Sequence, residues 1–431
     1  MTAGDGADSV ARPFRCSTIV AAGAAGQGSC TMAHSVTVSS NQSWFSRLAQ
    51  SAKSVLVGLL LFVASFPLLF WNEGRAVRTA QSLAEGAGAV RSVAADAIDS
   101  GNEGKLVHTT GAVTTDGPVA DPDLGVEAQA IKLLRNVEIY QWREKESSET
   151  RKKMGGGSET VTTYTYDQIW SEDPIDSTSF REESGHENRG DKPFLSTTFA
   201  ADVVHLGAFE LSEEQIGELD ETEPLRVDGP ASAELTGDPR GTLRPADGGY
   251  YLGANPQSPA IGDVRIRFEA VRPATVSVVG VQTGNSFAAY QASAGDSVLL
   301  VDEGIHTAAE MFQAAQAANS LLTWVLRFVG WLLMFLGMLL IFKPLAVLGD
   351  VVPLFGSMLG AGLGAFSFLI ASGLSLVTVA IAWVAYRPLL GVTLLLLAGA
   401  AIFLLVRRGR RAGGGLVPPP LPPLPPLPPQ A

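Results

Sequence analysis

The first long apolar stretch of this chain constrains its fold more than any other feature. Residues 54–71, SVLVGLLLFVASFPLLFW, carry no charge. A backbone clothed in that much apolar surface must satisfy its own N–H and C=O groups, as a helix does, if it enters lipid. The run rises about 27 Å as a helix, close to the roughly 30 Å of a bilayer's hydrocarbon core. Three further apolar runs follow towards the C-terminus, at 321–342, 354–386 and 389–406. The chain is therefore expected to be a membrane protein with four transmembrane α-helices, one N-terminal and three C-terminal, with Pro67 bending the first near one end. A cleaved signal peptide is the other reading of the first run. The long arm before it, the lack of a small-residue cleavage site after it and the later spans favour a retained anchor.

Charge orients these spans. Arg47 and Lys53 precede the first run and RRGRR, 407–411, follows the last, which puts both termini in the cytoplasm by the positive-inside rule. An even number of crossings agrees. Residues 72–321 hold 40 acidic and 20 basic residues, against 3 and 11 in the remainder. Between the first and second spans we thus expect a large α+β, strand-rich extracytoplasmic domain over 72–320. Both cysteines, Cys16 and Cys30, precede the first run, so that domain has no internal disulfide and no thiolate ligand. The Ala/Gly/Ser-rich arm 1–53 reads as disordered and cytoplasmic, with Met32 as an alternative start. The segment 345–353 is interfacial or re-entrant. Arg outnumbers Lys 23 to 8 and the domain has no N-x-[ST] sequon. That balance favours a bacterial inner membrane with a periplasmic domain; the alternative is the endoplasmic reticulum and inner nuclear membrane, with a lumenal domain.

Three residues mark expected membrane interfaces: Trp71 at headgroup depth, Arg327 snorkelling from about one and a half turns inside the second run, and Arg387 in the YRP that follows the third. Gly356, Gly360 and Gly364 recur every four residues, which puts three glycines on one helix face where another helix can approach closely. Packing within one bundle and homo-oligomerisation both use that pattern.

Within the domain, 105–115 reads as a strand, and NVEIYQW and TVTTYTYDQIW as two strands joined by KKMGGGS. Tyr164, Tyr166 and Trp170 share a face by period two, within reach of Tyr140 and Trp142 across the sheet. RSVAADAIDS has helical character ahead of the first strand. Ser212 and Gln215 form a capping-box pattern that starts an acidic helix near Glu213. Val264, Ile266 and Phe268 alternate with charges, as in a half-buried edge or surface strand. Residues 305–319 show helical spacing that leads into the second span.

No HExxH, G-x-S-x-G or P-loop occurs. His108, His186, His205 and His306 are scattered, the acidic run 210–223 lacks a calcium-loop pattern, and Lys152 and Lys153 beside three glycines lack Walker spacing. No catalytic residue, cofactor or metal site is assigned. The tail 407–431 is basic and proline-rich, and its PPPLPPLPPLPP places Leu421, Leu424 and Leu427 on one face of a polyproline helix, a form that SH3- or WW-like partners bind and that also serves as a passive spacer.

SFPLLFWNEGRAVRTAQSLAEGAGAV, VEIYQWRE, GGGSETVTTYTYDQIWSEDPIDSTSF, IGDVRIRFE, NSLLTWVLRFVGWLLMFLGMLLIFKPLAVLGDVVPLFGSMLGAG and AWVAYRPLLG together resemble the transmembrane protein 43 family, also called LUMA. The resemblance covers roughly residues 54–408. It implies one N-terminal span, a large extracytoplasmic domain and three C-terminal spans, with no catalytic residues; eukaryotic members organise the nuclear envelope through partner proteins. The expectation is a non-enzymatic membrane scaffold whose partners are membrane lipids, membrane proteins and further copies of itself, and no nucleic acid. A lipid- or ion-handling membrane protein is the alternative.

Overall fold

The computed structural model describes residues 35–231, 238, 240–350, 353–387, 393 and 396. Its first element, β1 (Ser35–Gln42), lies in the arm expected to be disordered. The helix α1 (Trp44–Ala89) then starts ten residues before the expected span and ends well beyond it. The Ser43 side chain caps it by accepting from the Ser46 N–H at 3.2 Å, satisfying an otherwise orphan donor. It does not stop at Trp71, because NEGRAVRTAQSLAEGAGA is rich in helix formers and holds no proline. Residues 91–99 are not helical: Arg91–Ser92 pairs in parallel with the next strand, and only a 3-10 turn, Ser100–Asn102, follows.

The strands of the domain follow: β2 (Leu106–Thr115), β3 (Lys132–Lys152), β4 (Ser158–Ser171), β5 (Thr197–Ala200) and β6 (Val204–Leu206). After the short helix α2 (Glu213–Gly217) come β7 (Gly249–Leu252), β8 (Val264–Val271), β9 (Thr275–Thr283), β10 (Ser286–Ala288) and β11 (Leu300–Glu303). The chain returns through α3 (Ala308–Gly349), which opens with a Thr307–Glu310 capping box, and continues as α4 (Pro353–Tyr386). Three helices, Trp44–Ala89, Ala308–Gly349 and Met358–Tyr386, are long and apolar enough to cross a membrane. The fourth expected span, 389–406, lies outside the described residues apart from Thr393 and Leu396, as does the tail 407–431.

The strands form two main sheets that interleave along the chain. An eight-stranded sheet runs β1–β4–β3–β8–β7 and on to Arg244–Ala246, while a seven-stranded one runs from Phe209–Glu210 through β6, β2 and β9 to β10. β8 is interior and not an edge, pairing with β3 on one side and with β7 and Glu223–Leu225 on the other. Its alternation has a different cause: Val264, Ile266 and Phe268 face the core, while Arg265 and Arg267 face a wet side and reach Glu138. One core packs Leu133, Val137, Ile139, Tyr250, Leu252, Ile266 and Phe268; a second packs Val107, Leu206, Phe209, Ile216, Val276 and Val278.

A third cluster joins the domain to the helices. Leu83 of α1 and Met311 and Phe312 of α3 are buried with Leu106, Val279 and Val298. The two helices therefore run unbroken from the apolar bundle into the domain core. α1 and α3 pack antiparallel, and glycines set their separation. A Cβ on Gly337 would lie 2.8 Å from the Gly58 oxygen and one on Gly58 2.7 Å from the Gly337 oxygen, while Gly330 meets Leu69. Such contacts admit only hydrogen as a side chain.

Gly337→Leu should therefore lower the thermal unfolding midpoint of the full-length protein in detergent, at or above the upper end of the about 1–3 kcal/mol typical of overpacking, because the obstructing atom is backbone. Gly373→Leu is the control, since a Cβ there meets nothing within 4 Å. Equal midpoints for the two variants would refute the close crossing.

Candidate functional site

A buried carboxylate ties the three apolar helices together at their domain-side end. Glu73 is 2% exposed. It accepts from Arg327 Nε at 2.6 Å on Oε1 and from Arg327 Nη2 at 2.8 Å on Oε2, while Trp383 Nε1 of α4 donates to Oε2 at 2.8 Å. The guanidinium also lies over the Trp324 ring, 4.8 Å from its centroid, and 5.8 Å from that of Trp383. A charge this far from water is tolerable only when paired and hydrogen-bonded, and here a bidentate fork and an indole together achieve that.

Polar contacts continue from this clamp towards the domain. Asn72 Nδ2 donates to the Thr323 carbonyl at 3.1 Å, and Arg75 reaches Asn319 Oδ1 at 3.0 Å and Thr323 Oγ1 at 3.1 Å. Asn319 Nδ2 donates to the Ala76 carbonyl at 3.1 Å and Gln316 Nε2 to that of Ala80 at 3.0 Å. Gly74 leaves room for the Tyr386 ring, which a Cβ would strike. The helices are thus in register through directional bonds above an apolar seam of Leu69, Met334 and Ala371.

A second charged junction closes the opposite end of the bundle. Asp350, the residue after α3, is buried and accepts from Arg47 Nη2 at 2.7 Å and Lys152 Nζ at 2.6 Å. Lys152 ends β3, so the tip of the β3–β4 hairpin reaches the start of α1. Arg47 also donates to the Gly156 carbonyl, Trp44 Nε1 donates to the Val347 carbonyl at 3.0 Å, and Lys153 Nζ donates to Asn41 Oδ1 at 2.7 Å. Gly156, at φ +81°, abuts the Trp44 ring where a Cβ would collide, which only glycine accommodates. β1 pairs with β4 along all eight of its residues, Ser35↔Thr165 to Gln42↔Ser158.

The residues singled out in the sequence fall as follows. Trp71 is half exposed on the outer face of α1 and Arg387 is exposed just after α4. Arg327 is turned inward onto Glu73, with its side chain 19% exposed. Gly356, Gly360 and Gly364 lie on α4, and a Cβ at Gly360 or Gly364 meets nothing within 4 Å among the described residues. Tyr140 meets Trp170 at 5.1 Å across the sheet, and Tyr166 stacks on His186 at 3.9 Å. His108 contacts Ser92 and the His306 carbonyl, and His205 contacts Asp116. Among the described residues no group of three or more His, Cys, Asp or Glu could hold a metal ion. The acidic segment around α2 leans on Glu303, whose carboxyl is pushed above its ordinary range by burial; the Glu221 N–H works against that rise, and the Glu221 and Asp220 carboxylates add to it.

Glu73 and Trp383 escaped the sequence reading. The available signal was charge balance: NEGRA places one acid at the edge of the first run while Arg327 stands at the edge of the second, and antiparallel spans bring those edges together. The geometry fixes helices against one another and, among the described residues, brings no nucleophile, base and orienting group together. A half-open cavity of about 640 Å³ lies apart from both junctions, lined by Asp116, Val119, Phe199 and Asp202 among others.

Comparison with known proteins finds one family model, transmembrane protein 43, matching residues 139–388. The chain is 37% identical to the Homo sapiens transmembrane protein 43 over 367 residues, covering 82% of this chain and 90% of the relative, and the same holds for the Rattus norvegicus protein. It is 34% identical to the Drosophila melanogaster transmembrane protein 43 homolog over 357 residues, covering 79% and 91%. No solved structure matches.

Two outcomes are expected of the electrostatics. Glu73→Ala strands a buried guanidinium and should cost about 3–5 kcal/mol of stability, whereas adding Arg327→Met should recover part of the loss; strictly additive losses in a double-mutant cycle would refute the clamp. Glu303→Gln should raise the unfolding midpoint at neutral pH. A carboxyl whose folded value is raised disfavours the folded state once it ionises, so the gain should vanish as pH falls below 4.5, where folded and unfolded forms are both protonated.

Proposed function

The chain belongs to the transmembrane protein 43 family, and from that premise we propose that it is a non-enzymatic integral membrane scaffold, which holds a strand-rich domain at fixed height and orientation beside the bilayer and offers it to partner proteins. The observation that carries this reading is mechanical. α1 and α3 pass without a break from the apolar bundle into the domain core at Leu83, Met311 and Phe312, and the Glu73–Arg327–Trp383 clamp locks these two helices to α4 at the domain-side end of the bundle. A hinge there would require a flexible linker, and both helices instead continue through the junction. In this reading four spans place the domain on the side opposite both termini, the glycine face at Gly360 and Gly364, open among the described residues, receives a helix of a second copy, and the acidic domain meets the partner proteins. The proline-rich tail offers a further contact for an SH3- or WW-like partner. The names of the relatives describe membrane proteins and no catalytic activity.

The alternative reading is a lipid- or ion-handling protein, and the buried Glu73–Arg327 pair favours it in so far as ionisable groups between spans often mark a transport path. Against it, the two charges neutralise each other at the end of the bundle and leave no unpaired carboxylate at its middle.

The test is co-purification from native membranes with lipid analysis of the same sample, comparing wild type with Gly360→Leu. The scaffold reading expects a reproducible set of proteins with wild type, and a smaller particle carrying fewer partners with the variant while the domain keeps its protease resistance. Recovery of one tightly bound lipid class and no protein would favour the alternative.

A further inference from the structure

The hairpin of β3 and β4 runs the whole length of the apolar bundle. Ile139 pairs with Val264 inside the domain, and thirteen residues later Lys152 binds Asp350, an extent of about 43 Å at the rise of a strand. Arg47, at the same junction, lies 26 residues before Glu73 on α1, about 39 Å at helical rise. The two charged junctions thus bracket an apolar cylinder as long as a bilayer is thick. The hairpin covers a similar length between the domain core at Ile139 and the junction at Asp350. Within that interval the helices expose Leu56, Leu60, Val63, Phe328 and Leu336, as lipid-facing surfaces do.

The hairpin carries the opposite chemistry. Lys145 pairs with Asp167 at 2.7 Å, Arg151 with Glu149 at 3.0 Å and Lys153 with Glu159 at 3.2 Å, and Ser148–Thr162 and Thr150–Thr160 hydroxyl pairs line its face at 2.9 Å. Lys145, Glu149 and Arg151 are more than half exposed. Each charge at mid-membrane costs on the order of 2.5–3.5 kcal/mol or more. The backbone adds a second prohibition. Among the described residues β1 is the outermost strand of its sheet, and beyond Trp142, whose N–H and C=O are met by the Asn188 side chain, β3 has only β4 beside it, so this three-stranded blade has two open edges there. Unpaired N–H and C=O groups are not tolerated in hydrocarbon.

We propose that the blade of β1, β4 and β3 crosses the level of the bilayer through a water-filled space enclosed by copies of this chain, so that the hairpin tip lies on the side opposite the domain that bears it. A buried carboxylate with two cationic partners fixes the tip to the far ends of α1 and α3, and the polar strands require water along the way. One chain leaves that water open to lipid laterally, and the glycine face of α4, uncovered among the described residues, is where a second copy closes the wall. The occupant of the hydrated flank is thus this same protein. The inference rests on the reading that the bundle spans the membrane.

Cysteine accessibility in sealed vesicles tests both. In full-length protein with Cys16→Ser and Cys30→Ser, single cysteines are placed at Leu195 on the domain, Lys53 at the far end of α1, Met154 at the hairpin tip and Ser147 midway, all exposed positions. A membrane-impermeant thiol reagent is added from each side in turn. Leu195→Cys and Lys53→Cys should react from opposite sides, Met154→Cys from the side of Lys53→Cys, and Ser147→Cys from at least one side. If Leu195→Cys and Lys53→Cys react from the same side, the spanning reading falls and this inference with it. If those two differ but Met154→Cys reacts from the side of Leu195→Cys, the inference alone is overturned. Ser147→Cys that reacts only after detergent solubilisation would place the blade in lipid and overturn it equally.

Discussion

Desolvation of charge governs the architecture of this chain. The apolar bundle is long enough to exclude water over the thickness of a bilayer, so every ionisable group near it must be paired or pushed to an end. Both solutions occur at once: Glu73 with Arg327 and Trp383 at the domain-side end, and Asp350 with Arg47 and Lys152 at the other. Because a buried charge without its partner is far costlier than a mispacked apolar side chain, these two junctions specify helix order and register. Apolar contacts such as Leu69 against Met334 fill the space between them.

Rigidity at the domain follows from the same economy of buried polar groups. Ending α1 at the edge of the apolar run would leave four carbonyls of its last turn exposed to a low-dielectric boundary. Continuing the helix avoids this, and α3 does the same in reverse. Their polar extensions then satisfy one another through Asn72, Arg75, Asn319 and Thr323 before reaching the domain core. The domain is therefore carried on two continuous helices, which is what the proposed scaffold role requires.

The hairpin is the part least expected of such a design. Long, charged and open at both edges, it has the chemistry of a strand pair in water, yet its tip binds where only the far ends of the spans can be. In the proposed arrangement those two properties are reconciled by water that follows the hairpin. That arrangement would let a large domain inserted between two spans keep a contact with the opposite face of the membrane.

The sequence alone determined the features that depend on composition along a short window. Uncharged runs gave the helices of the bundle, acidic content gave a polar domain between the first and second, and the period-two pattern of NVEIYQW and TVTTYTYDQIW with KKMGGGS between them gave the hairpin. Motifs long enough to be specific gave the family. Tertiary structure decided what depends on distant residues meeting. Arg327 reads as a snorkelling boundary residue until Glu73, 254 positions away, is set beside it. Gly58 and Gly337 have no spacing pattern to mark them, because their close approach is a property of two helices and not of one. Val264 to Phe268 alternate as an edge strand would, since one wet face produces the same pattern whether or not both edges are paired. Ser35–Gln42 looks disordered by itself and becomes a strand only because β4 offers it an open edge. Local periodicity reports which way a side chain faces; the identity of what it faces is fixed by the fold.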